Sequence, residues 1–391
     1  MNSRPQYKGG TDGHATGDAS GSDHNKALNA HRWETFRHEW QLCREHFEFF
    51  RDWQPGQQPC CLNPHLELEK RTVNRRSILK TAGSAAAASL KFTLFQALFG
   101  ESVNMLDVHG YTAMRCYAQL TSCRVAYVEE GRGQVALFLH GFPLSGFQWR
   151  GVIPRLAAHR RCIAPDFMGL GYTETTESQE ITPETQAAML GEFLDVLKIK
   201  DVDIVANDSG GEVAQLFVAH YPTRVRTLLL SNCDVDTNSP PPSFAPLLAA
   251  AQKGVLADSF ARLLANKDAA RSQRGLGAFY THPENLTDDA IEYYLSPLVS
   301  TPLRKKQLNS FAASFANNPL VAIEPALRQC PSPARIVWAT ADTTFDVKWA
   351  DWLDKTLPHS QGVRRVDGAK LFFPEEMPEV IAEEATKLWR V

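Results

Sequence analysis

The hydrophobic positions of the chain become regular from about Cys123 onward. Short runs rich in Val, Leu, Ile and Phe recur there, and most are separated by stretches with helical periodicity such as TPETQAAMLGEFLDVLK. Strands that alternate with helices predict a mostly parallel sheet of about eight strands, covered on both faces. The predicted strands lie in the segments CRVAYVEEG, VALFLHGF, RCIAPDF, DVDIVAND, VRTLLLSN, ARIVWAT and VRRVDGA.

A long segment with helical patterns interrupts this alternation between VRTLLLSN and ARIVWAT. It covers about residues 236–325, begins near NSPPPS and contains no strand pattern. A helical insertion between two strands predicts a cap over the carboxyl edge of the sheet. Because ligands bind at that edge in open α/β sheets, we expect the functional site under the cap.

The N-terminal part of the chain lacks this regularity. Residues 1–73 begin with a stretch rich in Gly, Ser and Asp and continue with aromatic residues at roughly helical spacing, which predicts a disordered or weakly helical extension. Residues 74–105 contain NRRSILKTAGSAAAASL, which resembles a twin-arginine export signal. This predicts export to the periplasm, and the alternative is a surface helix in a cytoplasmic protein. Since such signals stand at the N-terminus, one hypothesis places the true start at Val73.

Composition and charge exclude several classes of function. The chain has 391 residues, of which 43% are hydrophobic, enough for one large domain with additions. Its net charge is −3 without a dominant basic face, so we expect no nucleic acid or anionic membrane as partner. No stretch reaches the ~18 apolar residues of an integral membrane span. The 8 cysteines form no C-x-x-C pattern, and we predict neither a metal site nor a cofactor.

The segment VANDSGG indicates a nucleophile on a sharp turn. It follows an apolar run and precedes EVAQLFVAHYP, which predicts a strand, a turn and a helix. Such a turn needs small residues two positions before and after the nucleophile, because the backbones crowd there. Asp208 has the small neighbours Ala206 and Gly210, whereas Ser209 would have Asn207, which fits poorly. Asp208 is therefore favoured as the nucleophile, and an esterase that uses Ser209 is the alternative.

Four motifs in the usual order resemble the α/β-hydrolase family, specifically its epoxide hydrolase and haloalkane dehalogenase branch. The resemblance covers roughly residues 120–391 and implies an α/β-hydrolase fold, a mostly parallel eight-stranded sheet with a helical cap. The motifs are LFLHGFP (137–143), APDFMGLGYTE (164–174), VANDSGG (205–211) and VWATADTTF (337–345).

The resemblance also implies roles for single residues. The backbone N–H groups of Phe142 and Ser209 would stabilise an oxyanion. Asp342 is the expected acid of a catalytic triad, since the other position for the acid, after VRTLLLSN, holds Asn232. His140 is expected to be a hydrogen-bonded core histidine and not a base.

The histidine of the triad is absent from its expected loop. Relatives carry G-A-G-H-F-x-P-E-E there, whereas this chain has GAKLFFPEE, which places Leu371 at the histidine position. Lys370 could replace the base if its pKa were lowered by burial, and the alternative is that Lys370 pairs with Asp342 or Asp208. We predict that Asp208 and Asp342 face one pocket under the cap, with Leu371 where the base should lie.

Substrate preferences follow from the same motifs. Relatives that remove halide carry halide-binding residues at the positions of Phe142 and Ser209, so dehalogenation is disfavoured. Opening of an epoxide requires phenol donors from the cap, for which Tyr280, Tyr293 and Tyr294 are candidates. The alternative is that these tyrosines pack within the cap.

Three functions remain open at this level. The first is a hydrolase of small molecules with ester, ether or epoxide bonds, because a carboxylate nucleophile forms an alkyl ester with an sp³ carbon. The second is a non-catalytic protein that binds a small apolar ligand. The third is a lyase or a cofactor-free oxygenase, since a fold alone does not determine function.

Overall fold

The computed structural model describes residues 105–391, and this part of the chain is built around one large sheet. Nine strands form it, in the order β1-β2-β4-β3-β6-β7-β8-β9, with β5 paired to β2 beside this path. The strands are β1 Arg115–Gln119, β2 Cys123–Glu130, β3 Val135–Leu139, β4 Arg161–Pro165, β5 Glu174–Thr175, β6 Val202–Asp208, β7 Val225–Cys233, β8 Ala334–Ala339 and β9 Ser360–Val366.

The sheet is mostly parallel, as predicted. All pairs from β4 through β3 to β9 are parallel, and β2 is antiparallel to its neighbours β1, β4 and β5. Every residue of β3 and β6 is buried, which is typical of central parallel strands covered by helices on both faces. The predicted α/β-hydrolase fold with its eight-stranded main sheet is confirmed.

Thirteen α-helices complete the described part of the chain. They are α1 Val108–Ala113, α2 Val152–Leu156, α3 Pro183–Val196, α4 Ser209–His220, α5 Ala245–Gln252, α6 Leu256–Ala265, α7 Lys267–Arg271, α8 Asp288–Val299, α9 Pro302–Ser314, α10 Leu320–Leu327, α11 Lys348–Thr356, α12 Phe373–Glu376 and α13 Pro378–Trp389. Short 3₁₀ helices span Gly146–Trp149, Pro222–Arg224, Pro242–Phe244, Leu276–Phe279 and Pro283–Asn285. Helices α5 to α10 lie between β7 and β8 and form the predicted cap.

The beginning of α3 illustrates how local sequence sets an element. Thr182 accepts a hydrogen bond from the Thr185 N–H at 3.2 Å, and the Thr185 hydroxyl accepts one from the Thr182 N–H at 2.8 Å. This reciprocal pair satisfies two N–H groups of the first turn, and Pro183 suits the first helical position. The helix then buries Leu190 and Phe193 against the sheet's core.

The sheet differs from the sequence predictions in its starting point and in two strands. The sheet begins at Arg115, before the predicted boundary at residue 120, and neither β1 nor β5 was predicted. In β1 only Ala118 is buried, so the strand lacks an apolar run. The predictions for residues 1–104, including the export signal, lie outside the described residues. Among the helices that are described, none is long and apolar enough to cross a membrane.

Candidate active site

The turn between β6 and α4 places Asp208 in a strained backbone conformation. Its φ of 54° and ψ of −135° are rarely adopted by a residue with a side chain. The turn is also crowded, because a Cβ atom on Gly210 would lie 2.4 Å from the Leu139 carbonyl oxygen. A Cβ on Gly141 would lie 2.4 Å from Oδ2 of Asp208. The small-residue pattern around Asp208 therefore corresponds to real close contacts.

The Asp208 carboxyl is buried and oriented by backbone groups. The Phe142 N–H donates to Oδ2 of Asp208 at 2.8 Å, and the Ser209 N–H also hydrogen-bonds to this carboxyl. Burial raises the pKa of Asp208 well above its usual range, and the charge of Asp234 raises it further. The hydrogen bond from Phe142 partly offsets both effects. The two N–H groups are those that the resemblance assigns to an oxyanion site.

Asp208 lies in the wall of a cavity of about 380 Å³ between the sheet and the cap. Most of the wall is apolar, and Phe142 packs edge-on against cap phenylalanines such as Phe244 and Phe315, with ring centroids 5.8 and 6.0 Å apart. The polar groups in the wall are few, which is typical of a site for a small, largely apolar molecule. The lining includes Phe142, Asp208, Ser209, Asp234, Phe244, Leu247, Phe260, Leu263, Arg274, Phe279, Phe315, Phe345, Leu371 and Phe372.

Asp342 follows β8, as predicted, but it does not line this cavity. Its Oδ2 accepts a hydrogen bond from the Asn232 amide at 2.8 Å and its Oδ1 accepts one from the Thr344 N–H at 2.8 Å. Thr344 and Phe345 form the cavity wall there instead. The prediction that both aspartates face one pocket is therefore corrected. Burial raises the pKa of Asp342 to about 6, and its charge still acts on Asp208.

Leu371 lines the cavity at the position where relatives carry the histidine. Its carbonyl oxygen accepts a hydrogen bond from the Asn207 side-chain amide at 3.2 Å, which fixes this loop to the end of β6. Lys370 points elsewhere, since its Nζ donates to the Ala278 carbonyl of the cap at 3.3 Å. Its ammonium makes no ion pair within residues 105–391, which corrects the predicted pairing with Asp342 or Asp208 and places Lys370 away from a base's position.

The histidines of the described residues do not supply the missing base. His140 is fully buried, its Nδ1 donates to the Gly141 carbonyl at 2.9 Å, and its Nε2 accepts from the Phe167 N–H at 3.0 Å. Burial lowers the pKa of His140 to about 4, so the ring is neutral near pH 7. His282 is exposed on the cap beside Glu284. In the part of the chain that the structure covers, no histidine lines the cavity or hydrogen-bonds to Asp208.

The three cap tyrosines do not reach the cavity, which corrects their assignment as substrate donors. The hydroxyls of Tyr280 and Tyr294 donate to Oε2 of Glu375 at 3.0 and 2.8 Å. Glu375 also forms a buried ion pair with Arg150 at 2.7 Å. Tyr293 accepts a hydrogen bond from an arginine guanidinium at 2.7 Å. The phenols are therefore held by buried charges, and they fix the cap to the core.

Sequence reasoning missed a group of buried carboxyls beside Asp208. Asp234 follows β7 and lines the cavity, and Glu212 lies one helical turn after Asp208 in α4. The Ser239 hydroxyl donates to Oε1 of Glu212 at 2.8 Å. Burial raises the pKa of Glu212 to about 8 and that of Asp234 well above its usual range. The sequence signal for this group is Asp234 itself, which follows Asn232 and Cys233 at the end of the strand VRTLLLSN. Across residues 105–391, no three His, Cys, Asp or Glu side chains are grouped so as to hold a metal ion.

Comparison with known proteins agrees with this geometry. Residues 135–376 match the family described as alpha/beta hydrolase fold. The chain is 28% identical over 272 residues to haloalkane dehalogenase 2 of Mycobacterium bovis, covering 66% of this chain and 89% of that protein. It is 37% identical over 103 residues to 2-hydroxy-6-oxo-2,4-heptadienoate hydrolase of Pseudomonas putida, covering 26% of this chain and only 37% of that hydrolase. The solved structure of the epoxide hydrolase CorEH without ligand superposes with a TM-score of 0.58 at 22% identity, covering 71% of this chain and 98% of that one.

Proposed function

Because the chain belongs to the α/β-hydrolase fold family, we propose that it hydrolyses small, largely apolar molecules through a covalent ester on Asp208. One observation carries the proposal. The Asp208 carboxyl stands on a strained turn in the wall of an apolar cavity, and the Phe142 N–H is hydrogen-bonded to it at 2.8 Å. A buried carboxylate that is held in this way attacks carbon more readily than one solvated by water.

The reaction has two steps. In the first, an Asp208 oxygen attacks an sp³ carbon of the substrate, the bond from that carbon to the leaving group breaks, and an alkyl ester forms. In the second, water attacks the ester carbonyl carbon and the alcohol leaves. The negative oxygen of the tetrahedral intermediate is stabilised by the N–H groups of Phe142 and Ser209.

The cavity wall favours strained cyclic ethers such as epoxides over alkyl halides. The positions that bind halide in relatives by resemblance hold Phe142 and Ser209, and the Phe142 ring packs into the cap. No side-chain N–H is therefore offered there to a departing halide. An epoxide oxygen instead requires a proton as the ring opens.

Ser209 supports a second candidate function, an esterase. Its hydroxyl is buried in the cavity wall, and among the described residues it has no hydrogen-bond partner. A serine without a neighbouring base is a weak nucleophile, so the Asp208 hydrolase is the stronger candidate.

Mass spectrometry of the full chain separates these functions. We expect incubation with apolar epoxides to give diol and a transient adduct that peptide mapping places on Asp208, and a turnover in H₂¹⁸O to put label into that carboxyl. Asp208→Asn should abolish both signals, whereas Ser209→Ala should keep them. An adduct on Ser209 with simple esters would establish the esterase. Absence of adduct and product across epoxides, bromides and esters would indicate a protein that only binds its ligand.

A further inference from the structure

Asp234 lies beside Asp208 because of the sheet register. Strands β6 and β7 are parallel neighbours, and Asp208 is paired with Cys233, the residue before Asp234. Both aspartates line the same cavity, and Asp234 is only 4% exposed. A substrate in the cavity would therefore contact two carboxyls from adjacent strand ends, one on the strained turn and one at the start of the cap.

Two buried carboxyls at adjacent strand ends do not both ionise readily, so such a pair can share one proton. No Lys, Arg or His of residues 105–391 forms an ion pair with Asp208, Asp234 or the nearby Glu212. Burial raises the pKa of Asp208 as well, but the N–H groups of Phe142 and Ser209 hydrogen-bond to its carboxyl and favour its ionised form. Burial and the charge of Glu212 raise the pKa of Asp234 well above its usual range, and hydrogen bonds from its own N–H and the Ser239 hydroxyl only partly offset this.

Two buried polar atoms near this pair have no hydrogen-bond partner among the described residues. Oγ of Ser209 is buried in the wall of the cavity, and no residue of the described chain hydrogen-bonds to it. Oε2 of Glu212 is also buried and lacks such a partner. Buried polar atoms without partners are rare in folded proteins and indicate a water or ligand atom that completes them. The cavity wall therefore offers a free hydrogen-bonding group, the Ser209 hydroxyl, directly after Asp208 in the chain.

We propose that Asp234 is the second catalytic residue of this site, with the acid role expected of the cap tyrosines and the base role expected of the missing histidine. This inference rests on the proposed function. Asp234 enters protonated and gives its proton to the epoxide oxygen while Asp208 attacks carbon and the C–O bond breaks. The resulting Asp234 carboxylate then takes a proton from the water that attacks the ester carbonyl. When the ester breaks, the new Asp208 carboxylic acid gives its proton to the departing alkoxide, and both residues return to their starting states. In retaining glycosidases, likewise, one carboxyl is the nucleophile and the other switches from acid to base.

Two kinds of substrate distinguish the acid role from the base role. A benzylic bromide needs no proton to lose bromide, so its attack by Asp208 does not need Asp234, but hydrolysis of the ester does. In Asp234→Asn we expect the bromide adduct on Asp208 to form at the wild-type rate and its hydrolysis to slow by about 10² to 10⁴-fold, so that the adduct accumulates. With an epoxide, adduct formation itself should slow by a similar factor.

The pH dependence of the wild-type protein gives an independent measurement. Epoxide opening should slow as pH rises, because it requires protonated Asp234, whereas hydrolysis of the bromide-derived ester should accelerate, because it requires the carboxylate. The groups that face this pair and can modify both profiles are Glu212 and Asp342, the Cys233 thiol between the two strand ends, and Arg274 across the cavity. Two rates that change in the same direction with pH would overturn the inference. Because this measurement uses only the wild-type protein, it remains decisive even if Asp234→Asn does not fold.

A control variant and two distinct outcomes separate the role of Asp234 from the proposed function of Asp208. Asp236→Asn makes the same change two residues later, outside the cavity lining, and should behave as wild type. If Asp208 becomes labelled and Asp234→Asn hydrolyses the bromide ester as fast as wild type, the inference is wrong and the proposed function stands. If Asp208 is never labelled in either protein, the proposed function fails and the role of Asp234 falls with it.

Discussion

Position 371 is a place where one side chain can change how efficiently water is activated. Leu371 lines the cavity with Asp208, and the Asn207 amide holds its carbonyl at 3.2 Å. We expect Leu371→His to accelerate hydrolysis of the Asp208 ester by about 10²-fold, because an imidazole with a pKa near neutrality is an efficient base. The measurement is the rate at which the mass of the benzylic adduct disappears after excess bromide is removed.

The neighbouring residue provides the control for this prediction. The Lys370 ammonium donates to the Ala278 carbonyl, so Lys370→Ala should leave the rate of adduct loss unchanged. If Leu371→His has no effect and Lys370→Ala abolishes hydrolysis, Lys370 is the working base and the expectation for position 371 is wrong.

Single residues were predictable where the constraint is local. The crowding around Asp208 comes from residues within two positions and from one neighbouring strand, so the small residues alone indicate the turn. The direction of a long side chain depends instead on distant partners. Tyr280 and Tyr294 turn to Glu375, which is far away in the sequence, and Lys370 turns to the cap. Residue type and sequence position alone do not predict these contacts.

The approach of helix α4 to strand β3 depends on the absence of a side chain at Gly210. An added Cβ would lie 2.4 Å from the Leu139 carbonyl oxygen and 2.6 Å from that of His140, and both are backbone atoms that cannot rotate away. We expect Gly210→Ala to lower the free energy of unfolding by about 3 kcal/mol, because the helix must shift. Urea unfolding followed by circular dichroism measures this loss.

A glycine-to-alanine substitution in the middle of α3 should instead raise the free energy of unfolding. In the middle of α3 a Cβ on Gly191 would meet only ordinary contacts, the nearest at 3.4 Å from the Tyr221 ring. Gly191→Ala should therefore stabilise the protein by roughly 0.5 to 1 kcal/mol, since alanine loses less backbone entropy in a helix. Equal destabilisation by both variants would contradict the argument that the turn at Asp208 is specifically crowded.

The most buried strands are the easiest to predict from the sequence. Strands such as β3 and β6 are buried at every residue, so their apolar runs stand out in the sequence. Strand β1 buries only Ala118, and β5 has two residues, so hydrophobic periodicity had nothing to detect. The cap was predicted as a whole because a long strand-free segment separates β7 from β8. Its contacts with the core were not predicted, since Tyr280 and Tyr294 of the cap hydrogen-bond to Glu375, which is distant in the sequence.

At the scale of the whole molecule, the site groups four acidic side chains that form no ion pair with a Lys, Arg or His of residues 105–391. Asp208, Asp234, Glu212 and Asp342 all have pKa values raised above their ordinary range, with burial as the largest cause. Each folded carboxyl therefore keeps its proton at pH values where the unfolded chain has lost it. The contribution to stability is fully present below the unfolded pKa and is lost as pH rises through the folded pKa, at up to ~1.4 kcal/mol per pH unit per group.

The buried His140 has the opposite effect on stability over part of the pH range in which these carboxyls titrate. The pKa of His140 is lowered from 6.5 to about 4, so between these values the unfolded chain binds more protons and stability rises with pH. Asp342, with a pKa of about 6, has largely finished titrating above pH 7. The window from pH 7 to 8 therefore reports mainly on Glu212 and the two cavity aspartates.

In that window we expect the free energy of unfolding to fall as pH rises, and Glu212→Gln to reduce the fall. At pH 4, below the unfolded pKa of 4.5, glutamine and protonated glutamate are both neutral and both accept the Ser239 hydroxyl, so the two proteins should be about equally stable. Near pH 8 the variant should be more stable by roughly 1 to 3 kcal/mol, because the unfolded wild type ionises this glutamate freely, whereas the folded protein, with a pKa of about 8, still holds part of the proton. Urea titrations at half-unit steps measure both curves, with the exposed Glu180→Gln as the control that should follow wild type. Parallel curves for wild type and Glu212→Gln would mean that Glu212 is already ionised in the folded protein, and that burial does not keep protons on the carboxyls around Asp208.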